Sequence, residues 1–222
     1  PKILAGRCVA CGKCVAACQF GALALMRRRV AFFPALCIGC GACAYVCPEG
    51  AILEDEREVG TVTLGDAEAG LEFAEGRVNV GEQRVTPVLK ALKEAMTPAG
   101  IRVLDAPPGT ACPMQETVSG ADFCLLVTEP TPFGRSDLAA AVETCRALGV
   151  PCGVVVNRAG VGDRGVYEYC AAAGLPLLLE IPWQRAIAEA YARGDTLLEA
   201  DAGWAQPLTK LFERAKACAE RR

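Results

Sequence analysis

From residue 101 onward, four apolar runs of strand length alternate with helical stretches: IRVLD (101–105), FCLLVT (123–128), CGVVVN (152–157) and PLLLEI (176–181). Between the second and third, residues 136–148 place Leu138, Val142, Cys145 and Leu148 on one helical face, with Ser136 positioned to cap. Apolar strands separated by helices predict a parallel sheet covered on both faces. Upstream, residues 58–82 alternate apolar and polar positions between glycines, which predicts short strands in hairpins. Residues 85–96 carry the apolar spacing of a helix. A parallel α/β sheet gathers its ligands beyond the carboxyl ends of its strands. The residues that end the four runs are therefore the informative ones: Asp105, followed by Ala106-Pro107-Pro108-Gly109-Thr110; Thr128-Glu129-Pro130; Asn157-Arg158; and Ile181-Pro182.

Residues 1–53 follow a different pattern, set by cysteine. Cys8, Cys11, Cys14 and Cys18 are spaced C-x2-C-x2-C-x3-C, and Cys37, Cys40, Cys43 and Cys47 repeat the spacing. The match continues past the thiols, since Gly21-Ala22-Leu23 aligns with Gly50-Ala51-Ile52, so the segment is an internal duplication. A 4Fe-4S cube takes four soft thiolates, and three at short spacing wrap it from one tight loop while the fourth comes from elsewhere. Zinc is the bland alternative, but zinc motifs pair two C-x2-C units across a longer gap and do not use four cysteines in each half. Between the repeats lies Met26-Arg27-Arg28-Arg29, read as a solvated turn or, alternatively, as a docking point for an acidic redox partner.

Composition narrows the chemistry. The 222 residues contain 14 Cys and no His, which removes His-based zinc sites, Rieske centres and Ser–His–Asp triads. The first cysteine follows almost at once on the start of the chain with no export signal, which points to reduced thiols and a cytoplasmic location. A net charge of −3 gives no footprint for nucleic acid, and no apolar run reaches the 18 or so residues of a membrane span. Of the remaining cysteines, Cys124, Cys145 and Cys152 fall in apolar patterns and read as core, whereas Cys112 follows the Asp105 stretch and reads as exposed.

Residues 4–53 resemble a two-cluster bacterial ferredoxin. The resemblance implies that Cys8, Cys11, Cys14 and Cys47 hold one 4Fe-4S cluster and that Cys37, Cys40, Cys43 and Cys18 hold the other. Gln19 departs from the pattern, standing where the second repeat has Pro48. Residues 101–110, 123–138, 152–158 and 179–194 resemble the MinD/Mrp family of P-loop ATPases, and within it the members with an inserted two-cluster ferredoxin, often labelled cobyrinic-acid-diamide-synthase-like. That resemblance implies an α/β fold: a parallel-sheet P-loop NTPase-like domain over 56–222 joined to a small α+β ferredoxin domain over 1–55. It implies Mg-ATP as a second cofactor, with Asp105 and Gly109 at the magnesium and gamma-phosphate, Asp105 as the catalytic group, and Asn157 and Pro182 at the adenine.

The family's glycine-rich loop is missing. The single Gly-Lys pair, Gly12-Lys13, lies between two cluster cysteines. Either the chain lacks the first strand and loop of a longer protein, or it is a member that starts here without them. The fragment is preferred, because a parallel sheet without its central strand leaves unpaired edges. ATPase activity is then expected only of the complete protein. The expected function is a two-cluster iron–sulfur protein in which ATP binding or hydrolysis is coupled to electron or cluster transfer. The alternative is a ferredoxin-like electron carrier with a non-hydrolysing scaffold, and an amide ligase ranks last. The implied partners are a redox protein or an iron–sulfur acceptor, and a second copy or a paralogous ATPase as dimer mate.

Overall fold

The computed structural model describes residues 1–66, 70–97 and 100–220. It divides into two compact units, Pro1–Gly100 and Ile101–Arg222.

The duplication governs the first part of the N-terminal unit. Strand β1 (Lys2–Ile3) precedes helix α1 (Lys13–Ala17), strand β2 (Leu23–Met26) and strand β3 (Arg29–Phe32). Helix α2 (Ala42–Tyr45) and strand β4 (Ile52–Leu53) follow. Strands β2 and β3 pair antiparallel with Leu23 opposite Phe32; β1 and β4 pair antiparallel with Ile3 opposite Ile52. The sequence offset that maps one cysteine run onto the other also maps Ile3 onto Phe32 and Leu23 onto Ile52. Each ladder is thus the repeat image of the other, and both build one small core. Cys14, Leu23 and Ile52 are buried there, with Ile3, Val30 and Phe32 packed against them. The basic run lies at the β2–β3 turn, where Arg27 takes a positive φ of 55° and the three arginines are exposed, as a solvated turn requires.

After the repeats, strands β5 (Gly60–Asp66) and β6 (Glu72–Val78) form the expected antiparallel hairpin. Residues 67–69 of the expected hairpin region lie outside the described residues. Helix α3 (Thr86–Ala95) seats Val88 and Leu92 on the ladder at Gly60 and Gly76, where a Cβ would approach Val88 to 2.8 and 3.0 Å. Just ahead of the hairpin, Arg57 donates to the Pro34 carbonyl at 2.9 Å.

The C-terminal unit is α/β. Helix α4 (Cys112–Val118) leads to strand β7 (Cys124–Thr128), helix α5 (Pro132–Ala147), strand β8 (Cys152–Ala159), helix α6 (Gly165–Ala173) and strand β9 (Leu177–Pro182). Helices α7 (Arg185–Arg193), α8 (Leu197–Ala200) and α9 (Ala205–Ala219) complete it. The sheet is parallel in the order β7-β8-β9. Leu126, Val154 and Val156 meet Leu138, Val142 and Cys145 of α5 and Val166 and Cys170 of α6 in one buried core. Alternation along a strand turns Val155 to the opposite face, and α9 packs on β8 and β9, its Arg214 donating to the Leu177 carbonyl at 2.7 Å.

Three expectations are corrected. Residues 101–105 form no strand, so three of the four expected strands make the sheet. A run becomes a strand only where a neighbour satisfies its backbone, and here Ile101 and Val103 stay 73% and 85% exposed. The sheet is also not covered throughout: β7 is an edge, and its Val127 is 62% exposed. The third correction concerns the helix cap. Helix α5 begins a turn earlier than expected, with Pro132 in its first turn, and Thr131 rather than Ser136 caps it by accepting from the Gly134 N–H at 3.0 Å.

Candidate functional site

The eight repeat cysteines are all free thiols, held by backbone that the duplication copies. Gly12 and Gly41 precede α1 and α2 at φ 78° and 74°, turning the chain so that Cys14 and Cys43 enter short helices. Two further thiols are fixed by identical hydrogen bonds: the Ala22 N–H donates to Cys18 Sγ, and the Ala51 N–H to Cys47 Sγ, both at 3.3 Å. In the second loop, the Gly39 N–H donates to Cys37 Sγ at 3.4 Å. Such bonds stabilise a thiolate and tune what it binds. Burial pushes the Cys14 and Cys43 thiols above their ordinary range when no group is bound.

The thiols sort into two cavities. One is lined by Cys8, Cys11, Cys14 and Cys47, the other by Cys18, Cys37, Cys40 and Cys43. Each cavity therefore receives three cysteines from one repeat and the last cysteine of the other. The chain crossing that does this is α1 against α2, which pack side by side and carry Cys18 and Cys47 at their ends to the opposite loop. Among the described residues, no three Cys, Asp or Glu side chains converge as ligands of a single metal ion do. Four soft donors around one cavity are the ligand set a 4Fe-4S cluster takes.

The two cavities differ in their walls. Apart from Lys13 and Glu49, the first is lined by apolar and cysteine residues. The second opens onto Glu54, Asp55, Glu56 and Arg84, all contributed from beyond the second repeat. Arg84 meets Glu82 through two side-chain hydrogen bonds, Nε–Oε1 at 3.0 Å and Nη2–Oε2 at 3.1 Å. Arg57 reaches the same carboxylate, Nη2–Oε2 at 2.5 Å. Hydrogen bonding from Arg84 holds the Glu82 carboxyl down to about 2. No feature of the local sequence around Arg57, Glu82 or Arg84 marks them, because their role depends on a fold-back that brings them to the second cysteine loop.

The residues expected to contact nucleotide are placed unevenly. Asn157 and Pro182 come together at the carboxyl edge of the sheet, Asn157 opposite Ile181 and Pro182 opposite Ala159. The Asn157 Oδ1 accepts from the Arg158 N–H at 2.9 Å, and Arg158 pairs with Glu129 from the end of β7 at 3.4 Å. Asp105 and Gly109 sit in the exposed stretch before α4, with Gly109 at φ 91°, instead of ending a strand. Among the described residues no hydrogen bond or ion pair joins them to Asn157. Cys112 is exposed at the start of α4. Cys145 is fully buried, and Cys124 and Cys152, opposite each other on β7 and β8, pack against the same core.

Residues 7–51 match the family described as 4Fe-4S dicluster domain, and this part of the chain is an iron–sulfur, ferredoxin-like domain. The chain is also similar to two proteins of Methanocaldococcus jannaschii. It is 30% identical to the uncharacterized protein MJ0579 over 127 residues, which is 56% of this chain and 44% of that protein. It is 29% identical to the uncharacterized protein MJ0578 over 211 residues, 94% of this chain and 72% of that protein. The chain thus spans less than half of the first relative's length. No helix among the described residues is long and apolar enough to cross a membrane.

Proposed function

We propose that this chain is an electron carrier in which Cys8, Cys11, Cys14 and Cys47 hold one 4Fe-4S cluster and Cys37, Cys40, Cys43 and Cys18 hold the other. The observation that carries the reading is the division of the eight thiols between two cavities, three from one repeat and one from the other in each. The donor set fits: eight free thiols, several fixed by N–H donors, divided between two cavities. Each cluster, when bound, stores and releases one electron at a time. The chain's own residues set the terms. Their N–H···S bonds stabilise added negative charge, the apolar wall of the first cavity excludes water, and the charged mouth of the second faces a redox partner. Anaerobically prepared protein should contain about eight iron and about eight sulfide per chain, four of each per cluster. Zinc with no inorganic sulfide would overturn the assignment.

A second reading adds ATP. In it the C-terminal unit binds Mg-ATP in the full-length protein, Asp105 and Gly109 at the magnesium and phosphate and Asn157 and Pro182 at the base, and nucleotide state biases electron or cluster transfer to an acceptor. What favours it is the parallel sheet with Asn157 and Pro182 side by side at its carboxyl edge, where such sheets take ligands. The test is to titrate the cluster potentials of the full-length protein with ADP and then with a non-hydrolysable ATP analogue. Identical potentials, with identical rates of cluster loss to a chelator, would leave the carrier reading alone.

A further inference from the structure

The two sets of four cysteines are images of one another, yet the second alone lies beside a fixed guanidinium. Arg84 lines the cavity of Cys18, Cys37, Cys40 and Cys43. Its Nη1 lies 3.1 Å from where a Cβ on Gly39 would stand, so the charge rests against the backbone of the loop between Cys37 and Cys40. The repeat counterpart of Gly39 is Ala10, and the first cavity has no arginine in its wall.

The guanidinium is held in place by a shared carboxylate. Glu82, only 9% exposed, accepts from both Arg84 and Arg57, so two guanidinium groups share one carboxylate and leave a net positive charge. Arg57 also donates to the Pro34 carbonyl at 2.9 Å, just ahead of Cys37, which locks the triad to the loop from its other side. Carboxylates share this cavity: Glu54, Asp55 and Glu56 are exposed at its mouth, and Glu54 Oε1 lies 2.6 Å from where a Cβ on Gly41 would stand, so the effect of Arg84 is its own contribution and not the sign of the whole wall.

We propose that Arg84, positioned by Glu82, raises the reduction potential of the second cluster above the value it would have without that charge. The inference rests on the two-cluster reading. Reduction adds one negative charge, and a fixed positive charge nearby favours the reduced state; net charge around a cluster is among the factors that set its potential. Two clusters with the same ligands and copied backbone are thereby tuned differently, one with a guanidinium against its loop and one without.

The test is a potentiometric titration of the anaerobic, cluster-loaded full chain followed by electron paramagnetic resonance. In Arg84→Gln one cluster should become harder to reduce, its reduction equilibrium falling about tenfold, or about 59 mV for a one-electron couple. The other cluster should not move, and Arg84→Lys should keep most of the wild-type value. In a Cys11→Ala background, which removes the first cluster, the shift should persist. Glu82→Gln removes the neutralising carboxylate and should move the same cluster the opposite way, an outcome that loosened packing does not produce. No shift in Arg84→Gln with full iron content, equal shifts in both clusters, or the same sign of shift in both variants would overturn the role of Arg84. If Arg84→Gln loses its clusters, Glu82→Gln decides, and no upward shift there overturns the proposal. Wild-type protein without iron and sulfide would instead overturn the two-cluster reading itself.

Discussion

Cys18 and Cys47 occupy the same place in the two repeats: each ends the run of four, and each Sγ accepts at 3.3 Å from the N–H four residues on. Each nevertheless faces the cavity of the other repeat's first three thiols. Crossed holding predicts a particular pairing of damage. Cys47→Ala should weaken the same cluster as Cys11→Ala, and Cys18→Ala the same cluster as Cys40→Ala. The paramagnetic signals of the reduced variants check this, and Cys47→Ala grouping with Cys40→Ala would refute it.

Ala10 and Gly39 are also repeat counterparts, but only one has the residue its backbone favours. Both are left-handed, at φ 53° and 72°. A side chain there costs about 1–2 kcal/mol, offset in part by the greater freedom of glycine when unfolded. Ala10→Gly should therefore stabilise the loaded protein by about 0.5–1 kcal/mol. Gly39→Ala should destabilise it by at least about 1 kcal/mol, because its new Cβ would also press on Arg84. The half-life of cluster absorbance on anaerobic heating reads both, and opposite signs are expected.

The cysteine sets are legible in the chain because ligand spacing is local and the repeat is written twice. The strands at 124–128, 152–159 and 177–182 are legible for a related reason: their apolar runs are long enough to need burial wherever they go. IRVLD reads the same way and forms no strand, since a ladder partner is not a property of the run itself. The start of α5 shows a local signal that the apolar pattern outweighs. Thr131-Pro132 is the cap and first-turn pair, while Leu138, Val142 and Cys145 draw attention to the helix middle. Arg84 and Glu82 could not be read at all, because only the fold-back after the repeats gives them a cavity to face.

The carboxyl of Glu82 offers a pH test. Its ordinary value near 4.5 falls to about 2 in the fold, chiefly through its hydrogen bonds with Arg84. A group lowered on folding contributes stability that is fully present above the unfolded value and is lost as pH falls through the folded one. The advantage of wild type over Glu82→Gln, measured as the ratio of cluster-loss rates, should be constant from neutral pH down to about 5. It should then shrink progressively as pH falls from about 4.5 toward 2. A ratio that grows on acidification would assign the stabilisation to another group.

The nucleotide reading makes its own demand on Asp105, which lies in a stretch without ladder hydrogen bonds, and on Asn157, which lies in one with them. If Mg-ATP bridges the two, binding must order the Asp105 segment while leaving the β8–β9 pairing as it is. Mg-ATP should therefore slow amide exchange over 101–110 in the full-length protein by more than it does over 152–157, where protection is already high. Asp105→Ala should abolish that slowing and cost hydrolysis, because no other carboxylate lies within the 101–110 stretch. Asn157→Ala should leave the slowing in place and instead relax the preference for ATP over GTP, if in this reading the amide contacts the base and not the phosphate. Exchange over 101–110 that ignores Mg-ATP, together with unchanged nucleotide affinity in both variants, would remove ATP from the function and leave the parallel sheet as a scaffold for the electron carrier.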